Sequence, residues 1–359
     1  MLYRPESRSA GGQGFAETGH IRGKVVLSDS LGRKLDYLRV SVTDRCNLRC
    51  VYCMPPQGVE WKPHTSMLAF EEFLRVVKIM AALGVRKIKV TGGEPLVRRG
   101  VAAFIKNLKA LSGVEKVTIT TNGLLLDEYL DEAETLGALP DGVNISMDAL
   151  DSGRFGRITR MENAAPELLP LVDRLLEKRI PVKINCVIVR SFNEEEILPL
   201  AALAKDRSVA VRFIELMPLG SAAALEPVPG NEIAELLEKN YGPLTPYQGV
   251  QGNGPAVYYS LPGFAGKIGF INAVTHGFCQ TCNRLRLTSE GFLKPCLSYD
   301  LGLDLRALLR SDATDAELER AITGIAARKP AFHTFSGVYG AQPEEVRGQH
   351  SGGMFGIGG

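Results

Sequence analysis

The sequence predicts an α/β protein built on a parallel sheet, and three observations carry that prediction. Short β-branched runs begin at residue 37 and recur as far as residue 216, segments of helical period separate them, and each strand–helix–strand repeat is long enough for the right-handed crossover that joins parallel strands. Pattern alone leaves open whether the sheet is doubly wound or rolled into a barrel. In either arrangement the strand C-terminal ends, with the loops that follow them, are where chemistry is expected.

The strands read in order as "YLRVSVT" (37–43), "KIKVTG" (87–92), "KVTITT" (116–121), "GVNISM" (142–147), "VKINCVIV" (182–189) and "VAVRFIEL" (209–216). Between the first two, Phe70, Phe73, Leu74, Val77, Met80 and Ala81 recur at three- and four-residue steps and make one apolar helix face. After about residue 220 the rhythm fails. "LGSAAALEPVPGN" reads as loop and "EIAELLEKN" as a short helix, while "AVYYSL", "KIGFIN" and "LRLTSEGFLKP" read as strands, the last folded at "TSEG" into a hairpin. The expected organisation is a flexible N-terminal segment (1–36), a first domain (37–220), a second (221–345) and a Gly-rich tail (346–359).

Composition narrows the function. The 42 Lys and Arg nearly cancel the 40 Asp and Glu, leaving a formal charge of +2, so no global field favours nucleic acid or an anionic membrane and any basic site must be local. The chain has no apolar run long enough to span a bilayer and its N-terminal segment has no apolar signal region, so a cytoplasmic protein is expected.

Six of the seven cysteines fall in two groups, Cys46, Cys50, Cys53 and Cys279, Cys282, Cys296, while Cys186 stands alone in an apolar strand as a buried thiol. Disulfides are a poor account of a large chain without an export signal. The first group, "CNLRCVYC", departs from the paired Cys-x2-Cys units of zinc sites. Three thiolates on one loop suit a [4Fe–4S] core, whose fourth iron is then left without a protein ligand and open to a small molecule. The second group is read the same way, with a Cys3His zinc site completed by His276 as its rival. Arg284 and Arg286, two apart on the strand after Cys282, face one side and suit a phosphate.

The cysteine loop with Tyr52 before its third cysteine, and "TGGEP" (91–95), resemble the radical S-adenosylmethionine (SAM) superfamily over residues 37 to 220. With "KVTGGEPLVRR", "TTNG", "NISMDAL", "FIELMPLG", "FCQTCNRLRLTSEGFLKPCL" and the closing Gly358 and Gly359, the chain resembles the GTP 3′,8-cyclase family along nearly its whole length. The resemblance implies an incomplete (βα)6 TIM-type barrel whose open side is covered by a C-terminal α+β domain carrying a second Fe–S cluster. It implies a lyase that uses SAM and two [4Fe–4S] clusters to cyclise GTP at the start of molybdenum cofactor biosynthesis. Cys46, Cys50 and Cys53 would hold the cluster that binds SAM, and Cys279, Cys282 and Cys296 the cluster that binds GTP. Tyr52, Gly93, Ser146 and Met217 would contact SAM, the glycines at 92 and 93 letting the backbone approach its methionine part. Arg39, Lys89, Thr120, Lys183, Arg284, Leu285 and Arg286 would contact GTP, with Arg284 and Arg286 catalytic alongside the first three cysteines. Relatives often carry Arg where this chain has Lys89, which keeps the charge and loses the bidentate fork.

The terminal Gly358 and Gly359, in a family whose tail is thought to enter the active site, are expected to thread a crowded, cation-lined pocket. A homodimer and a flavodoxin- or ferredoxin-like electron donor follow from the resemblance alone. Three rivals stand beside this reading. One is interior ion pairing of Arg39, Lys89 and Lys183 with Glu94 or Glu215. The second is a radical SAM peptide-maturation enzyme with an auxiliary cluster, and the third an iron-sensing or zinc-stabilised binding module.

Overall fold

The computed structural model describes residues 19–21, 24–161, 167–249, 251–335 and 356. Six strands match the sequence expectation: β1 (Tyr37–Ser41), β2 (Lys87–Thr91), β3 (Lys116–Thr121), β4 (Val143–Ser146), β5 (Val182–Val187) and β6 (Ala210–Ile214). They pair in chain order, all parallel. Helices α1 (Phe70–Ala82), α2 (Val101–Ala110), α3 (Leu126–Leu136), α4 (Ser152–Thr159), α5 (Leu168–Glu177) and α6 (Ile197–Asp206) fill the crossovers.

The helix ends follow local rules. Two glutamates, Glu71 and Glu72, sit in the first turn of α1, where the helix dipole favours them, and the Glu72 carboxylate accepts from the Ala69 amide at 2.7 Å. Asp151 caps α4 by accepting from the Arg154 amide at 2.9 Å, and α3 stops on Gly137 in the left-handed region at φ 61°.

The strands after residue 220 do not build a separate sheet. Following α7 (Gly230–Tyr241) come β7 (Thr245–Pro246), β8 (Val257–Ser260), β9 (Lys267–Ile271), β10 (Arg284–Leu287), β11 (Phe292–Lys294) and β12 (Leu303–Asp304), then α8 (Leu305–Leu309) and α9 (Asp315–Ala327). β9 joins β6 and β10 joins β1, both parallel, so one sheet runs β12-β11-β10-β1-β2-β3-β4-β5-β6-β9-β8-β7. The covering region thus extends both edges of the incomplete barrel. β9 and β10 are consecutive in the chain, so residues 272–283, which carry Cys279 and Cys282, connect the strand on one edge to the strand on the other.

Side chains alternate along these strands, and the two faces differ in kind. Leu38, Val40, Ile88, Val90, Val117, Ile119, Ile145, Ile184, Val211 and Phe213 are buried in one apolar core with Phe73, Met80, Phe104 and Leu130 of the helices. The opposite positions, Arg39, Lys89, Thr118, Thr120, Asn144, Lys183, Asn185 and Arg212, line a cavity. A barrel packed for stability alone would fill that side with branched apolar residues; this one keeps it polar.

One boundary is corrected. Residues 27–36, expected in a flexible N-terminal segment, are packed: Leu27 and Leu35 are fully buried, and Ser28 bridges Lys34 across a turn. Residues 1–18 and most of the 346–359 tail, including Gly358 and Gly359, lie outside the described residues.

Candidate active site

The first cysteine trio follows β1, at the C-terminal end of the parallel strands. The loop is tied down by its own backbone: the Cys53 and Met54 amides donate to the Cys50 carbonyl at 2.9 and 3.1 Å, and the Arg49 and Val51 amides reach Thr159 and Ile158 of α4. The Leu48 amide approaches the Cys46 sulfur at 3.3 Å. Burial raises all three thiols, Cys46 to about 11 and Cys53 to about 12, with neighbouring thiols and Asp148 adding to the effect on Cys50 and Cys53. These sulfurs are therefore poor free thiolates and need a metal to deprotonate them.

Tyr52, within this loop, is tied to the segment that follows Ser146, the last residue of β4. The Tyr52 hydroxyl donates to Asp148 at 2.6 Å, and the other Asp148 oxygen accepts from the Val187 amide at 2.8 Å. Desolvation in this buried spot lifts Asp148 to about 6.

Gly92 and Gly93 are also required by the packing of the chain itself. A Cβ on Gly93 would lie 2.3 Å from the Arg45 carbonyl oxygen, and one on Gly92 would lie 2.9 Å from that of Thr43. The pair lets "TGGEP" press against the cysteine loop, where the Gly93 amide donates to the Thr43 carbonyl at 2.7 Å. Buried Glu94 then links this loop to the end of β3, accepting from Thr121 at 2.8 Å and from the Asn122 amide at 2.7 Å. Burial raises its pKa to about 7.

The second trio opens onto the polar cavity. Cys279, Cys282 and Cys296 line it together with Arg39, Lys89, Thr120, Lys183, Arg284 and Arg286, and with Met217, whose packing against Leu219, Leu297 and Phe335 sets one wall. The expected cations thus gather in one place, deeper than the strand C-terminal ends where the chemistry was anticipated. Leu285 is corrected: it is 1 % exposed in the apolar core, because alternation turns it away from its neighbours Arg284 and Arg286.

Sequence reasoning missed several lining residues: Lys87, Lys116, Asn144, Asn185, Arg212 and Lys329. The signal was available, since Arg212 and Asn185 are polar breaks at alternate positions of otherwise apolar strands. Arg212 hydrogen-bonds Asn185, its register partner, and its Nε is buried without a hydrogen-bond partner. Exchanging the Asn144 amide oxygen and nitrogen satisfies its surroundings, the oxygen then accepting from both Lys89 and Arg212.

The electrostatics of the cavity are lopsided. Among the described lining residues nine are Lys or Arg and one is a carboxylate, Asp141, which is held by Lys109 at 2.7 Å and the Val117 amide at 2.7 Å. Arg286, Arg39 and Lys89 are register partners on adjacent strands. Like charges about 5 Å apart repel by roughly 3 kcal/mol at an effective dielectric of about 20. Burial first, and the neighbouring cations second, accordingly hold Lys89 well below its usual range and bring Lys183 to about 8. The proposed interior ion pairs are not what engages the two glutamates: Glu94 binds β3, and Glu215 accepts from the Val274 and Thr275 amides at 2.7 and 3.0 Å. A cavity of this kind fits a polyanion.

His276, the candidate fourth ligand of a Cys3His zinc site, is exposed with its Nδ1 3.1 Å from the Thr275 hydroxyl. Burial works against the Cys282 thiolate, yet the Arg284 and Lys329 charges outweigh it and bring that thiol down to about 7.

Comparison with known proteins agrees with this geometry. Residues 40–204 match the family model described as the Radical SAM superfamily and residues 209–335 the one described as Molybdenum Cofactor Synthesis C. The chain is 42% identical over 309 residues to the GTP 3′,8-cyclase of Clostridium perfringens (strain 13 / Type A), covering 86% of this chain and 95% of that one. It is 44% identical over 310 residues to the GTP 3′,8-cyclase of Pelotomaculum thermopropionicum, with the same 86% and 95% coverage. Among solved structures, Streptococcus suis SuiB bound to S-adenosylmethionine superposes with a TM-score of 0.55 at 14% identity, over 82% of this chain and 68% of that one, a likeness of fold. No helix among the described residues is long and apolar enough to cross a membrane.

Proposed function

The chain belongs to the GTP 3′,8-cyclase family of radical SAM enzymes, and we propose from its cavity how its own residues divide the work. The reaction converts GTP to (8S)-3′,8-cyclo-7,8-dihydroguanosine 5′-triphosphate, the first step of molybdenum cofactor biosynthesis. A [4Fe–4S] core held by Cys46, Cys50 and Cys53 supplies, when bound, the electron that cleaves SAM to a 5′-deoxyadenosyl radical.

Tyr52, fixed by Asp148, together with Ser146, Met217 and the backbone at Gly93, holds SAM beside that loop. Arg39, Lys89, Lys183, Arg284 and Arg286, with Thr120, grip GTP through charge-assisted hydrogen bonds, joined by Arg212. Each such bond contributes roughly 1.5–3 kcal/mol. The triphosphate neutralises cations that otherwise repel one another, so the site prefers its substrate to water. Cys279, Cys282 and Cys296 would hold a second [4Fe–4S] core, which would supply a Lewis-acidic site for the guanine.

The observation that carries this reading is the convergence of nine cations and the second cysteine trio on one cavity. That lining also sets the reading apart from peptide maturation, since a peptide backbone offers no comparable density of negative charge. A homodimer, a flavodoxin- or ferredoxin-like electron donor and a cytoplasmic setting complete the proposal. Anaerobic incubation with SAM, GTP and dithionite tests it. 5′-Deoxyadenosine and the cyclised nucleotide should form together, and 5′-deoxyadenosine released while GTP stays intact would sink it.

A further inference from the structure

The packed N-terminal turn has an unusual set of partners. In "DSLGR" (29–33), Asp29 accepts from the Leu31 and Arg33 amides at 3.0 and 2.9 Å, and Gly32 at φ 76° closes the turn. Asp29 then holds Arg33 Nε at 2.5 Å. The rest of the Arg33 guanidinium is directed at backbone carbonyls: Nη1 donates to Cys279 at 2.8 Å and Ala331 at 3.3 Å, and Nη2 to Pro330 at 2.7 Å and Lys329 at 3.1 Å. One buried side chain therefore joins the first cysteine of the second trio to the segment that follows α9.

That segment reaches the remaining ligands. Lys329, only 4 % exposed, donates from Nζ to the Arg284 carbonyl at 2.9 Å and the Pro295 carbonyl at 2.5 Å, one position two residues after Cys282 and the other directly before Cys296. The His333 amide approaches the Cys279 sulfur at 3.3 Å. The turn thus meets Cys279 directly, and the segment it binds carries Lys329 to the Cys282 and Cys296 arms.

We infer that Asp29, Arg33 and Lys329 form a clasp that positions the second cysteine trio: Arg33 locks the 329–331 backbone against Cys279, and Lys329 pins the Cys282 and Cys296 arms at one spacing. This rests on the reading of that trio as the ligands of a second [4Fe–4S] core. Partners outside the ligand shell commonly change metal affinity 10- to 100-fold, and cations or N–H donors near the sulfurs raise a cluster's reduction potential. Asp29 and Arg33 lie outside the cavity lining while Lys329 is part of it, and toward the cysteine arms all three act as positioning residues.

Lys329→Met and Arg33→Lys test the clasp, the second keeping the charge while losing the fan of donors. Each protein is reconstituted anaerobically and measured for iron per chain, for the separate EPR signals of the two cores, for the change GTP makes in the second signal, and for the second core's midpoint potential. The parent should carry about eight irons. Both variants should keep the SAM-side signal and its response to SAM. They should bind the second core roughly tenfold more weakly and fall toward about four irons; any second core retained in Lys329→Met should have a more negative potential. Parent-like iron, potential and GTP response in both variants would overturn the clasp, as would equal loss of both cores. A parent with about four irons and no GTP-sensitive signal would instead remove the second core itself, and the clasp with it.

Discussion

Replacing Lys183 with methionine should make the empty protein more stable at neutral pH and weaken its hold on GTP. Lys183 donates to the Gln251 carbonyl from the cavity wall, and burial, followed by the Arg212 and Lys116 charges, lowers its pKa from 10.5 to about 8. That displacement disfavours the charged form by at most about 3 kcal/mol. Because the folded pKa is the lower one, the unfolded chain holds the proton more tightly. The cost is fully present below pH 8 and fades as pH climbs from 8 toward 10.5, so this group makes stability rise across that window. Methionine keeps the apolar stem, removes the charge and forfeits a hydrogen bond worth about 1 kcal/mol. The net gain is about 2 kcal/mol at pH 7 and shrinks above pH 8. The same change deletes a contact to phosphate worth roughly 1.5–3 kcal/mol, a roughly 10- to 100-fold rise in Kd. Anaerobic thermal unfolding at pH 7 and 9.5, with calorimetry of GTP binding, measures both effects. A variant less stable than the parent at pH 7, or one that binds GTP equally well, would show that these cations do not wait in mutual repulsion for an anion.

Other perturbations separate the roles of neighbouring residues. Gly93→Ala drives a methyl into the Arg45 carbonyl, so iron content after reconstitution should fall by about half, to roughly the four irons of one core, and an undiminished SAM-side EPR signal would contradict it. Asp148→Ala strands the Tyr52 hydroxyl and the Val187 amide and should cost roughly 2–4 kcal/mol in thermal stability and weaken SAM binding, whereas Asp148→Asn, which restores a partner to each, should cost less than about 1 kcal/mol. Arg212→Gln should raise the KM for GTP roughly tenfold with the EPR signals of the cysteine-bound iron unchanged; an unaltered KM would remove Arg212 from the substrate contacts.

The six barrel strands were legible because each is a short β-branched run whose neighbours repeat at helical spacing, and that periodicity records which face meets the helices. The cysteine trios were legible because chemistry fixes their local spacing, and Arg284 and Arg286 because two residues on a strand share a face. Arg212, Asn144 and Asn185 carried a weaker sign of the same kind, a polar side chain at an alternate position of an apolar strand. A single strand read by itself does not show that several such positions converge.

What the sequence determined by itself was therefore local: element type, face and ligand spacing, each set within about ten residues by backbone geometry. Tertiary structure alone decided the rest. Parallel pairing of β9 with β6 and of β10 with β1 suspends Cys279 and Cys282 between the two edges of the barrel. The same pairing places Arg286 beside Arg39 and Lys89. The Arg45 carbonyl explains Gly93, and Arg33 meets Cys279 across 246 residues of chain. Burial, repulsion and close approach arise between segments that the chain's order keeps far apart, so no window along it contains them.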